Sequence, residues 1–427
     1  AWEEACRGNV PRLDQAMDGL MRLLWFFGRY EEGAALLRLA CDGLTANARP
    51  LNTDGKRVLA RALLHRSDIN AEMDRWELAD PMIQQSQCLL GDLVLTGHDT
   101  RSERAWLHVM KGWAALRDEP DGALWHYEQA LALHRDLGYE GEVAYRLMNI
   151  AMANWRLSQF DRARQSFEES LTLFRAVEDP FGIVVMTRLR GGLARTFRDY
   201  AEATERYEAA LAVARANGFL WGVATIQAEL GFSQFLEGDL QAGVDKLHES
   251  VALWRKLCER HSMCICLDRL TWALLRSGDL DHAHAHAEEN IAIAAEMEAG
   301  WLLGRALEKR ARLDAAAGKY DIARSHAQKA IAFSRHDVQL SAFSASGAQE
   351  LLGKVALAEG DYAEAGQTLH NVMAALPVSA SEAESLEPRA KALATVGQAA
   401  HSLGNHVKAQ QHLIEAMEIT IKFRAFD

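Results

Sequence analysis

The chain has 427 residues, of which 49% are hydrophobic, and its 59 acidic side chains outnumber 47 basic ones for a formal net charge of −12. This apolar content excludes a disordered chain, and no apolar run approaches the ~18 residues that span a bilayer. The six cysteines lack paired spacing, which indicates a reducing compartment. The acidic balance argues against nucleic acid as the main partner, because phosphate neutralisation needs clustered lysine and arginine.

Short segments recur along the chain, and each contains a bulky landmark residue directly after a tight turn that is often Gly-Asp or Gly-Lys. In chain order the landmarks are Tyr30, Trp76, Pro120, Phe160, Tyr200, Leu240, Leu280, Tyr320, Tyr362 and His406. Their spacing is 40 residues from Pro120 to Tyr320 and 42–46 residues elsewhere. This period predicts ten units, each consisting of helix A, the turn, and helix B starting at the landmark.

Columns of similar residues share a register with the landmarks. Three residues after each landmark lies Gly or Ala, seven after lies a usually large apolar residue such as Tyr127, and offsets of 3, 7 and 10 share one helical face. Nine residues before most landmarks lies a further small residue; Met21 and Lys111 break this column, although Gly112 fits with a one-residue slip. This column contains Ser67, Ala151, Gly191, Gly231, Thr271, Ala311, Gly353 and Gly397. Glycine inside a helix costs about 1 kcal/mol relative to alanine, so the column predicts a close crossing of helices A and B.

The columns predict an all-α solenoid in which each helix pair buries its apolar face against its neighbours. We expect a single solenoid over residues 1–427, with a first repeat at 1–45, central repeats at 46–376, a loop extension at 377–388 and a C-terminal capping repeat at 389–427. Stacked helix pairs need no linkers, and the chain has only 7 prolines.

The small–bulky–small–large–small order, as in SQFDRARQSFEESL and RDYAEATERYEAAL, resembles the tetratricopeptide repeat (TPR) family along the whole chain. The forty-residue period and loops such as EDPFGIVV are similar to the longer-helix variant found in kinesin light chain and in sensor regions of bacterial signal-transduction ATPases with numerous domains (STAND proteins). The stretch AWEEACRGNVPRLDQAMDGLMRLLWFFGRYEEGAALL resembles the start of such a sensor, just after the ATPase module. The resemblance implies a right-handed, cytoplasmic, ligand-sensing superhelix that restrains an upstream ATPase until an inducer arrives. The sequence has no G-x-x-x-x-G-K-[ST] phosphate loop, so we expect the nucleotide switch to lie outside this chain.

In repeats of this family helix A lines the concave face, which predicts a groove for a protein, peptide or small-molecule inducer. Counting back 15, 12, 8 and 5 residues from the landmarks selects the helix A residues that do not face helix B. The candidate ligand-binding residues are Tyr145, Met148, Met152, Trp155, Arg188, Arg195, Phe232, Phe235, Asp268, Trp272, Arg305 and Arg312. Aromatics beside arginine are typical of binding surfaces, and the four arginines predict a locally basic interior suited to an acidic ligand. The alternative is that tight curvature buries these aromatics between repeats.

A second column at the start of helix A contains Phe181, Trp221, His261 and Trp301, forty residues apart. Because this spacing is that of the repeat, we expect these side chains to wedge between adjacent repeats, with ligand contact as the alternative.

Two clusters invite an enzymatic or metal-binding interpretation. The first contains Cys258, His261, Cys264 and Cys266, and the second contains His282, His284 and His286. Zinc sites usually use two well-separated ligand pairs, and free cysteine behaves as a small hydrophobe, so we expect core packing for the first. For the second we expect a solvated face, because only His282 and His286 share a helical side. The sequence shows no catalytic motif, so we expect no enzyme activity, no metal and no cofactor in this chain.

Three function hypotheses follow. The first is an inducer-sensing domain of a STAND-type ATPase, cytoplasmic, with no nucleic-acid or membrane partner. The alternative is a passive TPR scaffold for protein assembly. The third is a metal-dependent catalyst that uses the Cys/His clusters.

Overall fold

Every landmark begins a helix in the computed structural model, which describes residues 2–6, 9–26, 29–46, 51–73, 75–116, 119–157, 159–334, 340–375, 393–398 and 400–425. After α1 (Trp2–Cys6), the helices A are α2 (Val10–Phe26), α4 (Thr53–Glu72), α6 (Arg101–Ala115), α8 (Glu140–Arg156), α10 (Pro180–Thr196), α12 (Leu220–Glu237), α14 (Arg260–Ser277), α16 (Gly300–Ala316) and α18 (Leu340–Glu359). The helices B are α3 (Tyr30–Thr45), α5 (Trp76–Leu95), α7 (Pro120–Leu137), α9 (Phe160–Ala176), α11 (Tyr200–Ala216), α13 (Leu240–Leu257), α15 (Leu280–Glu296), α17 (Tyr320–Ser334), α19 (Tyr362–Ala375) and α20 (His406–Ala425). Residues 393–398 are also helical, and none of the residues in the described ranges forms a β-strand.

The Gly-Asp turn ends helix A and caps helix B within two residues. Gly238 follows α12 with φ of 115°, a left-handed conformation that glycine adopts without strain. The next residue, Asp239, accepts a hydrogen bond from the Ala242 amide at 3.2 Å and so caps α13. Gly278 and Asp279 repeat this arrangement between α14 and α15.

The small-residue columns lie where helix A crosses helix B, as the sequence predicts. A Cβ on Gly231 would lie 2.8 Å from the Gly243 carbonyl oxygen, and a Cβ on Gly243 would lie 2.7 Å from the Gly231 carbonyl oxygen. Gly112 and Gly191 instead make room for the rings of Tyr127 and Tyr207. Close packing of helix A against helix B is therefore the reason for glycine inside these helices, against backbone at Gly231 and against a tyrosine ring at Gly112 and Gly191.

A buried serine ten residues after three of the landmarks ties helix B to helix A of the same unit. The hydroxyls donate from Ser86 to the Ala60 carbonyl (3.0 Å), from Ser170 to the Ala144 carbonyl (2.7 Å) and from Ser250 to the Ala224 carbonyl (2.7 Å). Each bond satisfies a hydroxyl that would otherwise be buried at a cost.

Two compact units make up the chain. Unit 1 comprises residues 1–186 and 217–221, and unit 2 comprises 187–216 and 222–427. Unit 1 buries Leu13 and Leu37 in one core, and unit 2 buries Leu307, Ala323 and Leu351 in another. A single solenoid over 1–427 stays a prediction, and the loop extension at 377–388 lies outside the described residues. No described helix combines the length and apolar character needed to cross a membrane.

Candidate ligand-binding surface

All twelve candidate residues lie on helices A, from α8 to α16. Ten of them are partly exposed, whereas Phe235 and Asp268 are each 4% exposed. Phe235 packs at the A–B crossing, since its Cβ is 2.7 Å from where a Cβ on Gly243 would lie. Its aromatic ring therefore belongs to the core of unit 2, and ligand contact by the other candidates stays a prediction.

The candidates of unit 1 lie together on α8. The Tyr145 hydroxyl donates to Asp179 Oδ2 at 3.1 Å, and the Tyr145 ring meets the Phe174 ring edge-on. Burial raises the pKa of Tyr145, so its hydroxyl stays a donor. Trp155 meets Phe167 edge-on at 6.4 Å between ring centroids and remains partly exposed, as do Met148 and Met152. Tyr145 is thus held by its neighbours, while the other three present apolar surface.

In unit 2 three arginines surround one carboxylate, an arrangement that we name the Glu229 centre. Arg269 Nη2 donates to Glu229 Oε1 at 3.0 Å, and Arg195 Nη1 lies 2.8 Å from Glu229 Oε2. Arg188 acts on Glu229 electrostatically from α10. Burial alone would raise the pKa of Glu229, but Arg269, Arg195 and Arg188 outweigh it and lower the pKa to about 2.

Aromatic rings border the Glu229 centre. The guanidinium carbons of Arg195 and Arg269 lie 5.3 and 5.2 Å from the centroid of the Phe232 ring. Trp272 on α14 lies 5.7 Å from Phe232 between ring centroids, with Arg276 over its ring. Phe232 and Trp272 are both partly exposed, so an accessible aromatic surface adjoins the arginines.

The remaining charged groups of this surface form a ladder that joins α14, α16 and α18. Arg305 donates to Asp268 at 2.5 Å, and Lys309 lies 3.6 Å from the same carboxylate. Arg312 pairs with Glu308 and also lies 3.4 Å from Glu350 on α18. Lys354 on α18 also pairs with Glu350, so this α14–α18 ladder places four cations among three carboxylates.

Most of the arginines that predict a basic interior are paired with carboxylates. Arg195, Arg305 and Arg312 each lie against a carboxylate, and the Glu229 centre sets three arginines against one carboxylate. The selection of offsets missed a column eleven residues before the landmarks, which contains Glu229, Arg269 and Lys309 at forty-residue spacing. The recurrence of charged residues in this column was the sequence signal that could have predicted the ion pairs.

The aromatic column and the two Cys/His clusters also have defined surroundings. Phe181 and Trp221 meet at 6.3 Å between ring centroids in unit 1, and His261 and Trp301 meet at 5.6 Å in unit 2. Cys264 and Cys266 are buried, and burial raises the pKa of their thiols to about 12 and about 11. Cys258 is exposed at the end of α13, and the His282 ring lies against Asp279. Across the part of the chain that the structure describes, no three His, Cys, Asp or Glu residues are placed to share a metal ion.

Comparisons with known proteins agree with this architecture. Residues 142–216 match the family model described as tetratricopeptide repeat, and no curated protein matches the sequence. A Rap protein complexed with Competence and Sporulation Factor is similar in structure, with 14% identity, a TM-score of 0.59, and coverage of 97% of this chain and 99% of that chain. Aspartyl phosphate phosphatase F from Bacillus subtilis is also similar, with 10% identity, a TM-score of 0.55 and coverage of 86% and 94%. A STAND protein with a tetratricopeptide repeat sensor from Pyrococcus horikoshii has 10% identity, a TM-score of 0.51 and coverage of 90% and 67%. The fold is an all-α solenoid of tetratricopeptide-like repeats.

Proposed function

We propose that this chain is a ligand-sensing module that binds a protein, peptide or small-molecule inducer on its helix A surfaces and regulates the nucleotide-binding module of a STAND-type ATPase. One observation carries the proposal. The small and large apolar columns pack at the A–B crossings, yet Phe232 on α12 and Trp272 on α14 stay partly exposed among paired charges of α10, α12, α14 and α16. Such a surface provides rigid aromatic contact area next to forked donors.

The neighbours support this role through the fold. In one of them the solenoid is complexed with Competence and Sporulation Factor, and in another it is the sensor of a STAND protein. We assign binding rather than catalysis to this chain, with no cofactor of its own and with its partners in the cytoplasm.

Sensing follows from the way in which ion pairs join successive helices A. Arg195 on α10 and Arg269 on α14 meet on Glu229 of α12, and Arg305 joins α16 to Asp268 of α14. A ligand that rests on Phe232 and Trp272 therefore acts on several repeats at once. It favours the released arrangement to the extent that it binds that arrangement more tightly, and about a 10⁴-fold preference converts a 1:99 population into 99:1.

The test uses the full-length gene product and measures nucleotide hydrolysis with and without an extract of the native cells. We expect the extract to raise nucleotide hydrolysis by the wild type. In the double variant Phe232→Ala, Trp272→Ala this increase should be at least about tenfold smaller, since aromatic anchors dominate binding energy. Phe235 is left unchanged because its replacement would open a core cavity.

A matched control removes comparable apolar area from a helix B. Ile322 and Phe333 are exposed on α17, so Ile322→Ala with Phe333→Ala should leave the response intact. Equal loss in both double variants would overturn the assignment to helix A. A gene product that binds protein through this surface but hydrolyses no nucleotide would instead establish the passive scaffold.

A further inference from the structure

The Glu229 centre is more than an ion pair, because it contains buried donors that no group satisfies. Arg188 Nε and the Tyr207 hydroxyl are buried without a hydrogen-bond partner, as is one acceptor of the centre, Glu229 Oε2. Arg195 Nη1 is close to Glu229 Oε2 but is not aligned for a hydrogen bond with it. Buried polar groups are normally satisfied, and leaving one unpaired is costly.

These donors converge on one region. Tyr207 on α11 reaches it past Gly191, whose missing side chain leaves room for the ring. The hydroxyl lies within electrostatic reach of Glu229, Arg195, Arg188 and Arg269, and burial raises the pKa of Tyr207 to about 12, so the group remains a donor. Two helices, α10 and α11, therefore bring N–H and O–H donors without a hydrogen-bond partner into the electrostatic reach of one carboxylate.

The Glu229 centre also contains more positive than negative charge. Three guanidinium groups face one carboxylate, whereas the neighbouring α14–α18 ladder sets three carboxylates among four cations. Burial lowers the pKa of Arg188, which shows that desolvation of this guanidinium is not fully repaid by Glu229. An excess of two positive charges remains.

We infer that the Glu229 centre is a binding site for a doubly charged oxyanion, inorganic phosphate or a phosphate monoester. A dianion neutralises the excess, and its oxygens accept from Arg188 Nε, Arg195 Nη1 and the Tyr207 hydroxyl. The side chains of Arg195 and Arg269 are each 20% exposed, which leaves an approach from solvent beside Phe232. The inference deepens the proposed function, since it rests on the same helix A surface and assigns the anionic part of the ligand.

The experiment measures anion binding to the purified chain by calorimetry at pH 8, in phosphate-free buffer of constant ionic strength. Inorganic phosphate, O-phosphoserine, succinate and acetate are the probes. We expect phosphate and O-phosphoserine to bind at least about tenfold more tightly than acetate. If O-phosphoserine binds more tightly than phosphate, the ligand is a monoester, and the reverse order indicates the free ion. Tighter binding of succinate than of both phosphates would overturn the inference.

Variants separate a binding role from a structural one. Arg188→Gln should weaken phosphate binding at least about tenfold and should leave the melting temperature in phosphate-free buffer equal or higher, because it removes an unbalanced buried charge. Arg206→Gln is the matched control, since Arg206 forms only an i,i+4 pair with Glu202 on α11 among its described contacts. A lower melting temperature in Arg188→Gln, with phosphate binding unchanged, would make Arg188 a structural counter-ion and overturn the site.

This measurement needs neither the ATPase module nor the inducer. Phosphate binding without any nucleotide response would therefore leave the site standing and reject the sensor. A nucleotide response without phosphate binding would do the opposite.

Discussion

Gly243→Ala is expected to lower the free energy of unfolding of unit 2 by about 2–3 kcal/mol, the usual cost of forcing extra atoms into a packed crossing. The new Cβ would lie 2.7 Å from the Gly231 carbonyl oxygen and 2.9 Å from the Phe235 amide nitrogen. Both contacts involve backbone, so α12 and α13 must move apart. Denaturant unfolding followed by circular dichroism measures the loss.

Gly366→Ala is the matched control for this substitution. Gly366 lies inside α19 in the same unit, and nothing lies within 4 Å of the position that its Cβ would take. Alanine should leave stability unchanged or raise it by up to about 1 kcal/mol through helix propensity. Equal destabilisation by both substitutions would contradict close helix crossing as the reason for the glycine column.

Glu229→Gln is expected to lower the free energy of unfolding by about 3–5 kcal/mol, because it leaves three largely buried arginines without their carboxylate. The effect should depend on pH. The lowered pKa of about 2 lies below the ordinary value of 4.5, so the carboxylate stabilises the fold above about pH 4.5. That contribution disappears as the pH falls from 4.5 toward 2. Wild type and variant should therefore converge in stability over this interval.

Glu202→Gln serves as the control for charge removal. Glu202 lies 40% exposed at its side chain and pairs only loosely with Arg206 at 3.3 Å, so its replacement should change stability by less than about 0.5 kcal/mol at any of these pH values. A difference between Glu229→Gln and wild type that persists unchanged down to pH 2 would contradict the charge assignment.

Local chemistry made the repeat boundaries predictable. Residues such as Asp239 and Gly238 specify where one helix stops and the next begins, and no distant contact is needed to recognise them. The same holds for the glycine column, because glycine inside a helix requires a packing reason. These signals predicted the start of each helix B and the close crossing of the two helices.

The partners of individual side chains were harder to predict than the repeat boundaries. Phe235 is of a residue type that is common in ligand contacts, but it is buried in the core because Gly243 leaves space for it. Glu229 and Arg269 are residue types that are usually solvated, and their pairing depends on how far α14 lies from α12. The forty-residue recurrence of charge was visible in the sequence. The change of sign from Glu229 to Arg269, which makes attraction between neighbouring repeats possible, became meaningful only with the distance between the two side chains.

The most direct test of the helix A surface as the binding site is hydrogen exchange of the full-length gene product with and without the extract that activates it. Binding stabilises the elements that it contacts against local opening. We predict slower amide exchange in α12 and α14, around Phe232 and Trp272, with no change in α13 and α15. Protection confined to α13 and α15 would place the ligand on helix B and contradict the account.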